Sequence, residues 1–483
     1  MQKTIRFILD EEVAEIDFRK NPGVRPTTTL LHWLRMQPGH KGVKEGCGEG
    51  DCGACTIVLA EPSPEGKMIY RAVDSCLMFL PMIHGKQVIT IENLANNAGR
   101  TKLLHPVQQK LVELNGIQCG YCTPGMVMSL FALYKNHREP SWEVIGDALA
   151  GNLCRCTGYL PIIQAAEEAC RDQRPDHFSE AEEKISGLLK EIRSPRDTIH
   201  LTGSGQSYIR PFTLVEALRL RKENPGAILI SGSTDVSLRQ TKKRERLPKI
   251  IDLSGIDELS FIRNEKGRMT IGAGTTLEVL KKATENGLPP LHAILKVFGS
   301  LQIRNVATIG GNIGSTSPIG DTLPLLLALG TELKLCSVKS ARLLPLEQFI
   351  KGYRKTFLEK DELITEVHIP LPAPDEMVST FKVSRRKELD ISTVSAAFRL
   401  RLGGEKIADA ALVFGGMDAT PRHAWITENY LKGRSWNRRT VEEAMKILEG
   451  DFDPVSDARA GAEFRRRAAA NLLMKFFLET RPV

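Results

Sequence analysis

Three cysteines fall within nine positions of the stretch KEGCGEGDCGACTIVLA, residues 44–60, as Cys47, Cys52 and Cys55, and Cys76 follows in AVDSCLMFL. Few sequence features restrict a fold so tightly, because four side chains drawn to one small object force the backbone to wrap around it. Four explanations compete: a disulfide staple, a zinc site, a redox thiol pair and an iron-sulfur cluster. The N-terminus, MQKTIRFILDEEVAEIDF, interrupts its apolar run with Asp10, Glu11 and Glu12, so it is neither a signal peptide nor a membrane span. The expected compartment is therefore the cytoplasm, where reducing conditions disfavour disulfides and leave ligand duty as the leading use of ten cysteines.

The spacing C-x4-C-x2-C with a distant fourth cysteine is the plant-type ferredoxin spacing of a 2Fe-2S cluster. Gly46, Gly48, Gly50 and Gly53 let the backbone approach closely and turn through positive φ. Structural zinc sites show paired C-x2-C or C/H spacings instead, so iron-sulfur is favoured over zinc here. A second set follows: Cys119 and Cys122 in IQCGYCTPGM, then Cys154 and Cys156 in GNLCRCTGY. C-x2-C alone fits a thioredoxin-like motif, but a C-x-C partner set in helical sequence argues against that. Pro124 suits a first helical turn and Gly151-Asn152 a helix end, so both pairs sit at helix termini. The residues by themselves specify a metal site there, with iron-sulfur as its leading form. Cys170 and Cys336 remain, as ordinary thiols.

At 483 residues the chain is long enough for about three or four domains. Its 42% hydrophobic and 26% charged content is that of a soluble globular protein, and a net charge of +8 spread along the chain points to a solvated surface, with no nucleic-acid or membrane partner. Residues 1–88 alternate apolar and polar in short runs, as strands with one helix at TTLLHWLRM. Residues 89–170 turn helical, with four helices suggesting a bundle. Residues 171–207, polar and turn-rich apart from ISGLL, are expected as a linker. A mixed α/β part spans 208–375, and a last unit of strands and then helices spans 376–483. The fold class expected is multidomain α+β.

In the mixed α/β part, ISGSTDV and ATIGGNIGS each read as an apolar strand running into a small polar turn, whose N–H groups could cradle a pyrophosphate. From the residues alone, two ordinary strand-ending turns are the favoured explanation. GSGQSY and GAGTTL both lack the last glycine of G-x-G-x-x-G, so no Rossmann domain is indicated.

GCGEGDCGACTIVL, QCGYCTPGMVMS and GNLCRCTGYLPI resemble the two iron-sulfur domains of the molybdenum hydroxylases, the xanthine dehydrogenase and aldehyde oxidase family. The likeness continues in LISGSTDV, RLPKIIDLSGI, TIGAGTTL, ATIGGNIGSTSPIGDTLP and FKVSRRKELDIS. The resemblance implies a β-grasp ferredoxin-like domain, a four-helix iron-sulfur domain, a PCMH-like FAD-binding domain and a C-terminal flavoprotein domain. It implies that Leu229, Ile230, Ser231, Gly232, Ser233, Thr234, Asp235 and Val236, with Thr308, Ile309, Gly310, Gly311 and Asn312, hold the FAD diphosphate, the N–H groups of Gly310 and Gly311 included. Asp321, Ile364 and Lys382 match positions contacting the nucleotide, Ile364 by counting back from IPLP, and Phe298 matches an aromatic residue near the isoalloxazine. Ser233 stands where eukaryotic members commonly carry Asn. Gln118 matches a position near the pterin.

The order of iron-sulfur and flavin parts on one polypeptide is similar to the small subunit of the bacterial xanthine dehydrogenases. The resemblance thus implies an electron-transfer subunit: two 2Fe-2S clusters and FAD passing electrons from a molybdopterin-binding large subunit to NAD+, in a heterotetramer of two small and two large subunits. Xanthine or hypoxanthine is the expected substrate, with an aldehyde or another N-heterocycle as the alternative. A zinc-stapled interaction module without redox role is the reading from another class.

Overall fold

The computed structural model describes residues 2–63, 65–95, 103–194 and 196–481, and the outermost ends of the expected first and last domains, at 1 and 482–483, lie outside them. The chain divides into two compact units, one of Met1–Ala217, Gly226–Ile256 and Gly299–Ala307, the other of Leu218–Pro225, Asp257–Phe298 and Thr308–Val483.

The first unit opens with a five-stranded sheet: β1 (Ile5–Leu9), β2 (Glu12–Ile16), β3 (Thr56–Pro62), β4 (Met68–Asp74) and β5 (Gln87–Ile89), in the order β2-β1-β5-β3-β4. β1 and β5 run parallel and the other neighbours antiparallel, which is the β-grasp arrangement. The strands fall on the runs that alternate in the sequence. Period two sends Ile5, Phe7, Ile57, Leu59, Val73 and Val88 to one face, packed with α1 (Leu30–Met36), and Ile8, Val58, Ala60 and Ala72 to the other. The second face meets α2 (Pro106–Glu113), α3 (Thr123–Asn136), α4 (Trp142–Leu149) and α5 (Leu160–Arg171), through Val127, Leu130 and Phe131 among others.

The expected linker at 171–207 is corrected by the structure. It contains a 17-residue helix, α6 (His177–Arg193), followed by β6 (Ile199–Gly203) and the start of β7 (Gln206–Arg210). Phe178, Ile185, Leu189 and Ile192 recur at helical intervals and are buried in the same core as the bundle. Asp176 caps α6 by accepting from Ser179 N–H at 2.8 Å. It also pairs with Lys135 at 2.8 Å and His105 at 3.2 Å, pinning α6 to α3 and α2.

β6 and β7 join β8 (Ile228–Ile230) and β9 (Lys249–Asp252) in a four-stranded sheet ordered β6-β7-β9-β8. Leu201, Tyr208, Ile230 and Ile250 share a hydrophobic cluster with Ile5, Phe7 and Leu34. That shared core places part of 208–375 in the first unit and the rest in the second.

In the second unit a five-stranded antiparallel sheet takes the strands in the order Ile262–Glu265, Arg268–Gly272, Leu363–Pro370, Glu332–Cys336 and Ala341–Pro345. An antiparallel sheet of Glu376–Val383, Val394–Gly403, Lys406–Gly415 and Arg422–His423 follows, with helices Trp425–Leu431, Arg438–Ile447 and Ala462–Thr480 covering it around Phe398, Phe414, Leu473 and Phe476. The fold is thus multidomain α+β. Among the described residues no helix is long and apolar enough to cross a membrane.

Candidate functional site

All ten cysteines are free thiols, and eight of them form two sets within the first unit. In the first set, the 47–55 loop leaves the body of the sheet and returns at β3, while Cys76 sits just after β4. Cys47 lies beside Cys52, and Cys55 beside Cys76. Backbone N–H groups of Glu49 and Asp51 point at Cys47 Sγ, at 3.4 and 3.3 Å, and those of Ala54 and Gly50 at Cys52 and Cys76. The glycines are explained by this wrapping. Gly48, Gly50 and Gly53 have φ of 66°, 74° and 67°, and a Cβ on Gly46 would lie 2.8 Å from Cys52 Sγ. The Cys52 thiol, with the two N–H groups, holds Cys47 down to about 5, and the same pairing pushes Cys52 up. Burial, then the Cys47 charge, pushes Asp74 up to about 7. Its Oδ1 accepts from Cys55 Sγ at 3.6 Å.

The second set lies at helix termini. Cys122 is the N-cap of α3, with Pro124 in the first turn, and Cys154 and Cys156 lie between α4 and α5. Cys119 pairs with Cys156 and Cys122 with Cys154. The Tyr121 N–H and then Cys156 lower Cys119, while burial and Cys154 push Cys122 up to about 12. Cys154 Sγ lies 3.2 Å from Thr157 Oγ1. Cys119 and Cys156 are exposed, and so is Gln118.

Both sets therefore consist of two thiol pairs, and among the described residues no three His, Cys, Asp or Glu side chains gather as around a single ion. Four thiolates spaced evenly about one point suit tetrahedral zinc. Two pairs suit a centre with two metal atoms, and the N–H groups aimed at sulfur suit a cluster whose sulfurs carry negative charge. The donor sets fit 2Fe-2S clusters. Cys170 is buried on α5, its thiol pushed up to about 11 by burial, and Cys336 Sγ lies 3.2 Å from Thr365 Oγ1.

The flavin residues fall in both units. In the first, β8 carries Leu229 and Ile230 into the turn Ser231–Val236. A Cβ on Gly232 would lie 1.9 Å from Val306 O, so only glycine fits. Among the described residues the N–H groups of Gly232, Ser233 and Thr234 donate to no protein acceptor, leaving them for an anion.

In the second unit the ATIGGNIGS stretch is a helix, Ile309–Ser315, where a strand was expected, because the Thr308 side chain caps it by accepting from Gly311 N–H at 3.2 Å. The expectation of N–H donors at Gly310 and Gly311 is corrected too. Gly310 N–H donates to Ala273 O at 2.9 Å, and Gly311 N–H is the one taken by Thr308. What the segment offers is the exposed, side-chain-free face of Gly311. Around it, Thr322 Oγ1 bonds Asn312 Oδ1 at 2.5 Å, and Ile364 reaches the position a Cβ on Gly314 would take, at 3.6 Å. Lys382 Nζ bridges Asp321 Oδ2 at 2.8 Å and Val297 O at 2.9 Å, next to the partly exposed Phe298. Ser392 Oγ holds the other Asp321 oxygen at 2.5 Å. The sequence does not single out Ser392 and Thr322, although both lie in the stretches FKVSRRKELDIS and ATIGGNIGSTSPIGDTLP, because nothing in those stretches shows which side chain meets Asp321 or Asn312.

Residues 202–372 match the FAD binding domain in molybdopterin dehydrogenase, 379–480 the CO dehydrogenase flavoprotein C-terminal domain, and 90–167 a 2Fe-2S binding domain. The chain is 32% identical over 545 residues to xanthine dehydrogenase/oxidase of Gallus gallus, with 98% of this chain covered. The chain belongs to the molybdenum hydroxylase family. Aldehyde oxidase 1 of Rattus norvegicus is 33% identical over 512 residues, with 94% of this chain covered. This molybdenum hydroxylase chain spans about two-fifths of the length of these relatives, 39% and 38%. A reconstituted CO dehydrogenase from Oligotropha carboxidovorans shares its fold with a TM-score of 0.53 and 27% identity, over 56% of this chain and 96% of that one.

Proposed function

We propose that the chain is the electron-transfer part of an NAD+-dependent xanthine or hypoxanthine dehydrogenase, working with a molybdopterin-binding large subunit in a heterotetramer of two of each, in the cytoplasm. The observation that carries the reading is the presence of two paired-thiol sets in one unit, joined by a hydrogen bond from Leu153 N–H to Cys52 O at 3.0 Å. Cys47, Cys52, Cys55 and Cys76 would hold one 2Fe-2S cluster, and Cys119, Cys122, Cys154 and Cys156 the other. The turn Ser231–Val236 and the surroundings of Gly311, Asp321, Ile364, Lys382 and Phe298 would hold FAD. When bound, the clusters supply one-electron transfer, and FAD supplies exchange between single electrons and the hydride of a nicotinamide. The protein's part is to offer N–H groups to anionic sulfur and diphosphate, and to bury Asp321 and Lys382 as a fixed pair. The exposed Cys119, Cys156 and Gln118 give the molybdopterin subunit a face to approach.

The equal likeness to aldehyde oxidase supports a second reading, the same role with an aldehyde or another N-heterocycle as substrate. Analysis of the purified chain tests the cofactor reading, with about four irons, four labile sulfides and one FAD expected per chain. A colourless, zinc-containing protein would overturn it in favour of a stapled interaction module. For the role, the molybdenum-free chain is expected to oxidise NADH with an artificial acceptor and leave xanthine untouched until the large subunit is added. Turnover of xanthine or an aldehyde by the chain alone would refute the two-subunit reading.

A further inference from the structure

Ser237 is fully buried at the start of the short helix Ser237–Thr241 and matches nothing in the motifs above. Its Oγ–H donates to the carbonyl of Leu77 at 2.7 Å, and its Oγ lies 2.7 Å from Ser233 Oγ. A serine hydroxyl has one hydrogen. Because a carbonyl only accepts, Ser237 gives its hydrogen to Leu77, and the hydrogen of the Ser233–Ser237 bond therefore belongs to Ser233. Ser233 then has none left for a ligand. Its backbone is left-handed, with φ of 63°, which is uncommon without glycine, and its carbonyl accepts from Ser237 N–H at 2.8 Å. Two bonds thus fix the turn on Ser237. Leu77 in turn follows Cys76 directly and packs on the cysteine loop, where a Cβ on Gly50 would lie 2.6 Å from Leu77 Cδ1.

We propose that Ser237 is a positioning residue that ties the flavin-binding turn to the backbone beside Cys76, so that flavin occupancy and the surroundings of the Cys76 thiolate are coupled, while Ser233 shapes the turn and donates nothing to the ligand. The proposal rests on the cluster and flavin assignments above. Coupling of this kind is reciprocal: whatever FAD does to the cluster loop, the loop does to FAD affinity.

The test uses the full chain with both clusters, stripped of flavin and titrated with FAD by flavin fluorescence, with electron paramagnetic resonance of the reduced protein before and after. Ser237→Ala is expected to weaken FAD binding about tenfold. It is also expected to abolish the FAD-dependent change in the signal of the ferredoxin-like cluster, with the other cluster's signal unaltered. Ser233→Ala should weaken FAD alike, and the double variant no more than either single one, because all three cut one chain of bonds. Unaltered affinity or an unaltered FAD response in Ser237→Ala would overturn the proposal. So would additive losses, or a loss confined to Ser233→Ala, which would make Ser233 a direct donor. Absence of FAD binding by the unsubstituted chain would instead refute the flavin assignment, and this proposal with it.

Discussion

The N–H of Leu153 donates to the carbonyl of Cys52 across 3.0 Å, so the two cysteine loops touch through their backbones. Asn152 reinforces the contact. It donates to Gly53 O at 3.1 Å and Thr56 Oγ1 at 3.2 Å, and its Oδ1 accepts from Ser129 and Gln302 at 2.6 and 2.7 Å. This buried amide uses its donors and acceptor on three separate segments of chain. A fixed separation between the loops follows from the sequence placing Asn152 two residues before Cys154 and Gly53 directly after Cys52.

Gly125 makes that contact possible. A Cβ there would lie 2.1 Å from Gly53 O, backbone against backbone, with no flexible side chain to give way. Gly125→Ala is expected to cost about 3 kcal/mol, the upper end for overpacking, even though alanine favours a helix. Denaturant unfolding measures the cost, and iron content should fall with it.

Cys154 and Cys52 belong to different pairs, so their removal should be separable. Cys154→Ser is expected to eliminate one of two paramagnetic signals of the reduced protein and leave the other, and Cys52→Ser to do the reverse. Simultaneous loss of both signals in either variant would mean that the loops do not assemble independently.

Gly310 and Gly311 adjoin in sequence and have opposite environments. A Cβ on Gly310 would lie 2.7 Å from both the Cβ and the carbonyl of Ala273, while one on Gly311 would meet only Thr308 Oγ1, at 3.0 Å. Gly310→Ala should therefore lower stability by about 2 kcal/mol. Gly311→Val should melt normally and yield a brown, flavin-free protein with both clusters present. Stoichiometric FAD in Gly311→Val would place the diphosphate elsewhere.

The contrast shows what was legible beforehand. Cysteine spacing is a local pattern, so both thiol sets were visible in the sequence, and so were the alternating runs that became β1–β5. The helix α6 was not, because its buried Phe178, Ile185, Leu189 and Ile192 are diluted by acidic and basic residues on the solvent side, and only ISGLL stood out. The fate of an N–H group was hidden altogether. Whether Gly310 faces a ligand or Ala273 depends on a turn nearly forty residues earlier, and both outcomes look the same in ATIGGNIGS. Lys382 and Asp321 needed the resemblance, since their pairing spans 61 residues and no motif records it.

His84 gives the fold a pH dependence of its own. Its Nδ1 accepts from Arg6 N–H at 3.1 Å, and the ring is buried near Arg210, Arg193 and Arg6. Burial first, then those positive charges, lower it to about 3 from the usual 6.5. Above pH 6.5 the ring is neutral in folded and unfolded chains alike, and its contribution is fully present. As pH falls below 6.5 the unfolded chain takes up a proton that the folded one refuses, so stability drops, by about 1.4 kcal/mol per pH unit at the steepest. Between pH 6.5 and 5 the loss approaches about 2 kcal/mol. Over that range carboxylates held low, such as Glu61 at about 2, stay ionised in both states and add little. His84→Asn keeps an acceptor for Arg6 N–H and removes the titration. Denaturant unfolding at pH 8, 6.5, 5.5 and 5 should therefore show a smaller decline in His84→Asn than in the unsubstituted chain. Parallel declines would mean that the ring is protonated in the fold and that the Arg6 bond does not exist as drawn.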